Sequence, residues 1–524
     1  MCSSTKANIP LLSLVAATSL ACLEVAGLPA LAQGPSQPGQ TQHTLATPLP
    51  LSGRANGNAS VTVVEAPIAG TTNSVTTINP SVQVQGPYTG SASSTANLPF
   101  SGKLTLREAI QRGLSYNLGA LNQNYAVRQA QGQSQVARSA LLPNVSGYLA
   151  ENLAQTNLAA EGFRIQVPIP GFTFPTVVGP YNNIDLRANV TQSVVDLTAW
   201  NNFRSAKDLY RAARFSARDA QDAIVLAVCG DYLQVIATAQ RVKSAHAQLD
   251  TAAALFQQTQ QERAVGLTAQ IDVDRSEVEK LTQQQRVISL ETQLAKEKIA
   301  LARVTGLPPN PDYELADSVP FAAAPSLTLD DAIHTALDHR NDIRAAQAQV
   351  LAAQRSLAAA HAERLPSLSI NGNYGALGAN PAQASATFSA AATLSVPIWQ
   401  GGRASGDVRQ AEAALAQRQA ELQDLKAQVE SDVRNAWLDL QAATSQLALT
   451  QRNLQVTAET LSLTRQRFQA GVTDNVEVVQ AQESLSSAEL DQINSVFAHN
   501  LAKLALARAV ASAADDLQLF LNLH

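Results

Sequence analysis

The sequence contains two copies of one structural unit, and this duplication constrains the fold more than any other feature. The segment Leu-Thr-Leu-Arg-Glu-Ala-Ile at residues 104–110 recurs as Leu-Thr-Leu-Asp-Asp-Ala-Ile at residues 327–333, 223 positions later. Farther along, Gly-Leu-Thr at 266–268 is matched by Gly-Val-Thr at 471–473, 205 positions later. Long stretches at a constant offset indicate a duplicated unit. The offset falls by 18 residues between them, so the first copy carries an insertion.

Each copy has the same plan: an opening helix, a Leu-Pro stop, two strands, a very long helix, a Gly turn and a returning helix. Thr105 with Glu108, and Thr328 with Asp331, have the spacing of a capping box at a helix start. Proline disfavours helical geometry in the residue before it, so a Leu-Pro pair ends the opening helix. We therefore expect one helix over about residues 105–141 and its copy 223 positions later. The two Leu-Pro pairs are Leu142-Pro143 and Leu365-Pro366.

Two strands are predicted after each Leu-Pro pair, in hairpins spanning residues 143–195 and 366–397. Their apolar residues alternate with polar ones, at Ile184, Leu186, Ala188 and Val190, at Leu368 and Ile370, and at Phe388, Ala390, Ala392, Leu394 and Val396. Strands of about ten residues with period two are typical of membrane barrels. A half-buried soluble hairpin is the alternative, which the long flanking helices argue against. The insertion, residues 162–175, is rich in proline and is expected to form an external loop.

The long helix carries a heptad pattern in the second copy. Large apolar residues recur every seven positions at Val433, Leu440, Leu447, Leu454, Leu461 and Phe468. A stripe of small residues runs beside them at Ala436, Ala443, Thr450, Thr457 and Thr464. Such paired stripes are what knobs-into-holes packing requires. At a rise of 1.5 Å per residue the helix is about 100 Å long, roughly the sum of the opening and returning helices.

The N-terminus has the features of an export signal. An apolar stretch over residues 9–23 precedes the small-residue cleavage site Ala30-Leu31-Ala32. We therefore expect residues 1–32 to be a signal peptide. A lipoprotein signal ending at Cys22 is the alternative, although the residues before it fit a lipobox poorly. Residues 33–102 are rich in Gly, Pro, Ser and Thr and are expected to form an extended or disordered leader. The alternating pieces at residues 61–64 and 82–84 are the candidates for a strand within it.

Composition and charge exclude several classes of function. The formal net charge is −5, so a nucleic-acid partner has no electrostatic support. Metal-spaced Cys and His residues, a phosphate loop and a nucleophile elbow are not found in the sequence, so neither an enzyme nor a cofactor is expected. Beyond the signal, an apolar run long enough for a transmembrane helix is not evident either.

Four strands cannot close a barrel, and lipid does not tolerate an open sheet edge. A membrane interpretation therefore requires an oligomer whose strand number is a multiple of four. Two copies give eight strands, too few for a channel, whereas three give twelve and leave room for water.

The order and spacing of these motifs resemble the TolC-like outer-membrane efflux factor family. The Val-Thr-Gly-Leu-Pro segment at 304–308, which closes the first repeat, and Ala470-Gly471 at the second turn add to the resemblance. The family implies a mainly α-helical fold with β structure: a trimeric twelve-stranded outer-membrane barrel continued by a long periplasmic helical barrel. It also implies a homotrimer, in contact with outer-membrane lipid, that exports substrates together with a periplasmic adaptor (membrane fusion) protein and an inner-membrane transporter.

The resemblance places the closed end of the channel at the helix turns. It implies that Asp272 braces the closed state and that Glu477 forms an acidic pore constriction. A second acidic ring position falls on Gln480, and the basic bracing partner falls on Thr473, so the salt-bridge lock is incomplete. The alternative role of both acids is to favour the dipole at a helix N-terminus. The expected adaptor-docking tips are Gly266, Leu267, Thr268, Gly471, Val472 and Thr473.

The predicted organisation is a signal peptide, a leader, a first repeat, a linker, a second repeat and a tail. The repeats span residues 103–310 and 327–515, with a linker at 311–326 and a tail at 516–524. A periplasmic coiled-coil scaffold without a channel is the alternative function. It explains the heptads but leaves the alternating strands unexplained.

Overall fold

The computed structural model describes residues 45–47, 60–68, 77–92, 100–160, 162, 175–310, 312–317, 327–470, 472–473 and 475–511. The predicted signal peptide, C-terminal tail and most of the insertion lie outside these residues, as does Gly471. The leader and first copy contain β1 (Val61–Ile68), β2 (Thr77–Val84), β3 (Lys103–Leu104), α1 (Leu106–Tyr116), α2 (Leu118–Ser139), β4 (Asn144–Asn157), β5 (Val177–Val195), α3 (Leu197–Ala264) and α4 (Gln270–Thr305). Then come β6 (Glu314–Leu315), α5 (Leu329–His339), α6 (Asn341–Ala362), β7 (Ser367–Gly378), β8 (Ser385–Ser395), α7 (Arg403–Gln469) and α8 (Asn475–Ala509).

The two alternating pieces of the leader each form part of a strand, the possibility that the sequence left open. Strands β1 and β2 form an antiparallel hairpin that lies against α3, and β2 also contacts α8. Val82 packs so closely that a Cβ on Gly230 would lie 2.3 Å from its Cγ2 atom. A few alternating valines suffice here because the long helix supplies the rest of the apolar surface.

The opening helix is broken in both copies, whereas the sequence predicts one continuous helix. The break falls at Asn117 in the first copy and at Arg340 in the second. Both residues are extended, with ψ of 133° and 128°. Because the breaks lie 223 positions apart, they are a property of the repeat.

The helix starts follow the sequence in part. The side chain of Thr105 accepts a hydrogen bond from the Glu108 amide at 3.1 Å, and Thr328 caps its helix in the same way at 3.2 Å. The Glu108 carboxylate instead accepts from Arg112 Nε at 2.9 Å. The threonine half of the predicted capping box therefore forms, whereas the Glu108 side chain turns to the next helical turn.

The two hairpins join into one antiparallel sheet of four strands, in the order β4-β5-β7-β8. Leu149 lies opposite Leu186, which lies opposite Ala376, so these residues share a face. The predicted apolar residues of β5, β7 and β8 lie on this same face in the observed register. Thr393 pairs with Ser369 on the opposite, largely polar face. The predicted alternation is confirmed, and one sheet face is apolar throughout most of its area.

The long helices form the body of the molecule below the sheet. Helix α3 contacts α2 and α4 of its own repeat and α6 and α8 of the other. The heptad stripe of α7 is buried at Val433, Leu440, Leu447 and Leu461, as predicted. Among the described helices, α3 has one 18-residue window apolar enough to span a membrane, and 78% of that window is buried inside the molecule. This window is part of the core, which also contains the buried Cys229.

Candidate functional site at the helix turns

The turn between α3 and α4 reverses the chain at Gly266. This glycine has a φ of +79°, the left-handed conformation that glycine adopts without strain. The Leu267 amide donates to Glu262 O at 2.8 Å, and the Gly266 amide donates to Arg263 O at 3.0 Å. These two bonds are those of a Schellman motif, which satisfies the last carbonyls of the helix. Leu267 projects into solvent with 79% of its surface exposed.

The turn between α7 and α8 repeats one of these bonds. The Val472 amide donates to Arg467 O at 2.9 Å, the counterpart of the bond between Leu267 and Glu262. Val472 is exposed, with 67% of its surface accessible. Gly471, which was predicted to make this turn, lies outside the described residues. Thr473 Oγ1 is enclosed and has no hydrogen-bond partner within the described part of the chain.

The predicted bracing residue Asp272 makes its contacts within its own turn. Its carboxylate lies 3.6 Å from Arg275 Nη1 and accepts from Thr268 Oγ1 at 3.4 Å. Both partners belong to the same turn and helix start, so these contacts connect Asp272 to α4 itself. The structure thus supports the helix-start role and leaves bracing by Asp272 as a prediction.

The predicted constriction residue Glu477 lies near the start of α8 and reaches across the turn. Its carboxylate is 3.5 Å from Arg467 Nη1 on α7, and both side chains are about half exposed. Gln480 is exposed one helical turn farther on. The acid is therefore partly neutralised by a base that the sequence interpretation missed. Arg467 is the last basic residue of α7 and lies five residues before Val472. This position, next to the turn, is the feature of the sequence that could have identified Arg467 as a partner of Glu477.

A polar seam joins α3 to α8 above the turns, and the sequence interpretation missed it. Arg241 Nη2 donates to Asn494 Oδ1 at 2.6 Å, and Gln248 Nε2 donates to Glu489 Oε2 at 2.9 Å. On α3 the residues Arg241, Ser244 and Gln248 follow helical spacing, so a polar stripe in place of an apolar one was the signal in the sequence. Ser244 Oγ also donates to Glu489. The two repeats therefore meet here through hydrogen bonds rather than through knobs and holes.

The seam continues onto α4 beside a cavity of about 150 Å3. Arg286 of α4 donates to Ser486 Oγ at 2.9 Å, and Ser486 donates to Gln248 Oε1 at 2.8 Å. Burial lowers the pKa of Arg286, whereas the nearby carboxylates of Glu279 and Glu489 act to raise it.

The comparisons with known proteins agree with this architecture. The family described as outer membrane efflux protein matches residues 110–307 and 332–512, which are the two repeats. The pyoverdine export outer membrane protein OpmQ of Pseudomonas aeruginosa is 24% identical, over 74% of this chain and 81% of its own. The outer membrane protein TolC of Vibrio cholerae is 23% identical, over 63% of this chain and 76% of its own.

Solved structures of outer-membrane channels share the fold. The CmeC channel of Campylobacter jejuni superposes with a TM-score of 0.68 at 15% identity, covering 82% of this chain and 92% of its own. The outer-membrane channel OprN gives a TM-score of 0.67 at 19% identity, covering 78% and 90%. The predicted TolC-like fold class is thus confirmed. With both repeats matched in order, this chain belongs to the outer membrane efflux protein family.

Proposed function

We propose that the chain is the outer-membrane exit duct of a tripartite efflux or type I secretion assembly and that it works as a homotrimer. The observation that carries this proposal is the sheet. Its apolar face is uncovered, with Leu149, Leu153 and Phe388 each more than 70% exposed. A soluble protein rarely leaves so large an apolar surface open, whereas lipid would cover it.

The sheet edges support the trimer. Within the described residues, β4 and β8 each pair on one side only. In a bilayer an unpaired edge is prohibitively unfavourable, so β4 of one copy pairs with β8 of the next. Three copies close a twelve-stranded barrel whose polar face surrounds water. Asp185 and Arg187, which form an ion pair at 2.5 Å, would then line the lumen.

A charge placed on each sheet face tests the membrane interpretation. Leu394→Arg puts a charge on the apolar face and should impair assembly by about 2–4 kcal/mol near the bilayer midplane. Thr393→Arg is the matched control, because its side chain lies on the opposite face of the same strand. The measurement is the yield of heat-resistant trimer extracted from outer membranes by detergent. Equal yields would favour the scaffold without a channel.

The partners of the duct are a periplasmic adaptor protein and an inner-membrane transporter. The turns lie at the ends of α3 and α7 farthest from the sheet, where a periplasmic partner can reach them. Leu267 and Val472 are apolar and exposed there, as docking residues need to be. We therefore assign the docking tips to these turns.

Cysteine crosslinking tests the docking tips and the orientation together. Cysteines introduced at Thr268 or Thr473 should crosslink to an adaptor in intact cells. Cysteines in the loop at Phe163 or Phe174 serve as the control, since this loop is expected on the outer surface. Crosslinks to the adaptor from the loop alone would invert the orientation and contradict the proposal.

A further inference from the structure

A pocket of about 220 Å3 lies between α3 and α8, next to the polar seam on the side toward the leader hairpin. Its apolar walls are Leu233, Ile236 and Ala237 of α3 and Ile493, Val496 and Phe497 of α8. A close-packed interior has few gaps larger than a water molecule. A cavity of roughly 150 Å3 in another protein accommodates benzene. The pocket is therefore large enough for a ligand built on an aromatic ring.

The pocket is held open from both sides. On one side Arg241 and Asn494 join the two helices by a hydrogen bond of 2.6 Å. On the other side Val228, Leu501 and Leu504 pack in the main core. Because both ends fix the separation of the helices, the small side chain of Ala237 leaves a gap that cannot close by local collapse.

One polar group of the pocket lacks a partner. Asn500 is only 3% exposed, and within the described residues its Oδ1 atom has no hydrogen-bond partner. A buried acceptor without a donor is unfavourable, so a donor brought by a ligand would be favoured. The side chains that line the pocket include no ionisable group. A charged ligand would lose its hydration without compensation, which favours a neutral one.

We propose that this pocket binds a small neutral molecule that carries an aromatic ring and one O–H or N–H donor. The ring packs between the apolar walls and beside Phe497, and the donor hydrogen-bonds to Asn500 Oδ1. Gln240 lies at the exposed rim, where the ligand enters. Since α3 and α8 belong to different repeats, the bound molecule contacts both repeats at once. The pocket lies in the body of α3 and α8, well away from the docking tips at the ends of α3 and α7.

Disulfide tethering in the purified full-length protein tests the proposal without relying on partition into detergent. Gln240→Cys places a thiol at the rim, and the native Cys229 does not compete because it is buried and burial raises its pKa. Labelling is read from the peptide that contains position 240, which is distinct from any peptide of Cys2 or Cys22. The probes are two mixed disulfides of equal size, one para-hydroxyphenylethyl and one para-methylphenylethyl. They exchange with the thiol under a fixed concentration of mercaptoethanol, and mass spectrometry of the modified peptide measures the labelling.

The hydroxyl probe is expected to label Gln240→Cys about tenfold better than the methyl probe, because it alone donates to Asn500. Lys243→Cys is the matched control, since it is exposed on α3 one turn away and does not line the pocket; there the two probes should label equally. Adding Asn500→Leu to Gln240→Cys should abolish the preference. Equal labelling of Gln240→Cys by both probes overturns the proposal, and this comparison requires no change in the core.

Discussion

The two helix breaks have nearly the same backbone geometry and different chemistry. At the first break, Asn117 caps α2 by accepting from the Gly119 amide at 2.8 Å, and it donates to Tyr88 O at 2.7 Å. At the second break, Arg340 donates to Asp342 at 2.6 Å, and its Nη1 lies 3.4 Å from Asp432. Neutral hydrogen bonds hold one break, and an ion network holds the other.

The difference follows from what covers each break. The leader covers the first: Leu118 donates its amide to Gly90 O at 2.9 Å, and Ala92 donates to Tyr116 O at 2.9 Å. The peptide groups freed by the broken helix are thereby paired with another segment of backbone. At the second break the charge of Arg340, which lies between α5 and α6, meets Asp342 of α6 and Asp432 of α7 instead. The two copies thus share the backbone geometry of the break, whereas the polar groups at each break pair with different neighbours.

The largest expected effect is at the ion network. Arg340→Met should destabilise the protein by about 3–5 kcal/mol, because the largely buried carboxylate of Asp342 loses the guanidinium that is hydrogen-bonded to it. Guanidinium unfolding of the purified protein measures this loss. Arg344→Met is the control on the same helix, where the guanidinium donates to the Asp338 carbonyl at 3.1 Å. A loss no larger than that of the control would mean that the network does not hold the break.

The effect at the first break should be smaller. Asn117→Ala removes the cap and leaves the Tyr88 carbonyl without its donor, which should cost about 1–3 kcal/mol. Asn124→Ala, at an exposed position of α2, is the control and should be nearly neutral. A larger loss of stability from Asn117→Ala than from Arg340→Met would contradict the expectation that the ion network stabilises its break more strongly.

The two breaks should also differ in their response to acid. Burial acts to raise the pKa of Asp342, but the hydrogen bond and charge of Arg340 outweigh burial and hold this pKa below its ordinary value. The stabilisation is therefore complete above the unfolded-state pKa of about 3.9 and is lost as pH falls through the lowered value. The free-energy difference between the native protein and Asp342→Asn should shrink below pH about 4. The difference for Asn117→Ala should stay constant with pH.

Asp432 belongs to the same network and has the opposite tendency, since burial raises its pKa. The quantity to follow is therefore the difference in the free energy of unfolding between the native protein and Asp342→Asn, rather than the stability of either protein alone. A difference for Asp342→Asn that remained constant down to pH 3 would contradict the assignment of an ionised pair at this break.

The smallest expected effect on stability is at the turns, where the copies differ again. Asp272 pairs within its own helix, whereas Glu477 pairs across the turn with Arg467. Both pairs are at least partly exposed to solvent, so removing either should change stability by less than about 1 kcal/mol. In planar bilayers, however, Glu477→Ala should lower cation selectivity, and Arg467→Gln should raise it, because it leaves the acid unneutralised. Unchanged selectivity in both variants would leave Glu477 as a helix-end acid.

The sequence by itself determined the features that depend on near neighbours along the chain. The heptad stripe of α7, the alternation in β5 and β8 and the helix reversal at Gly266 each follow from local periodicity or local backbone conformation. Duplication extended these inferences, because two copies with one plan imply one architecture. The family, the fold class and the position of the turns were accessible for this reason.

Only the tertiary structure decided the features whose partners are distant in sequence. The break at Asn117 depends on a backbone segment near Gly90, and the polar seam pairs Arg241 with Asn494 across the two repeats. The leader hairpin packs against α3, which is distant from it in sequence. Asn117 and Gly119 at the first break, and Asn341 and Asp342 at the second, have low helix propensity. Contacts from elsewhere in the chain complete each break. A local pattern records what a segment can form, whereas its partners determine what it does form.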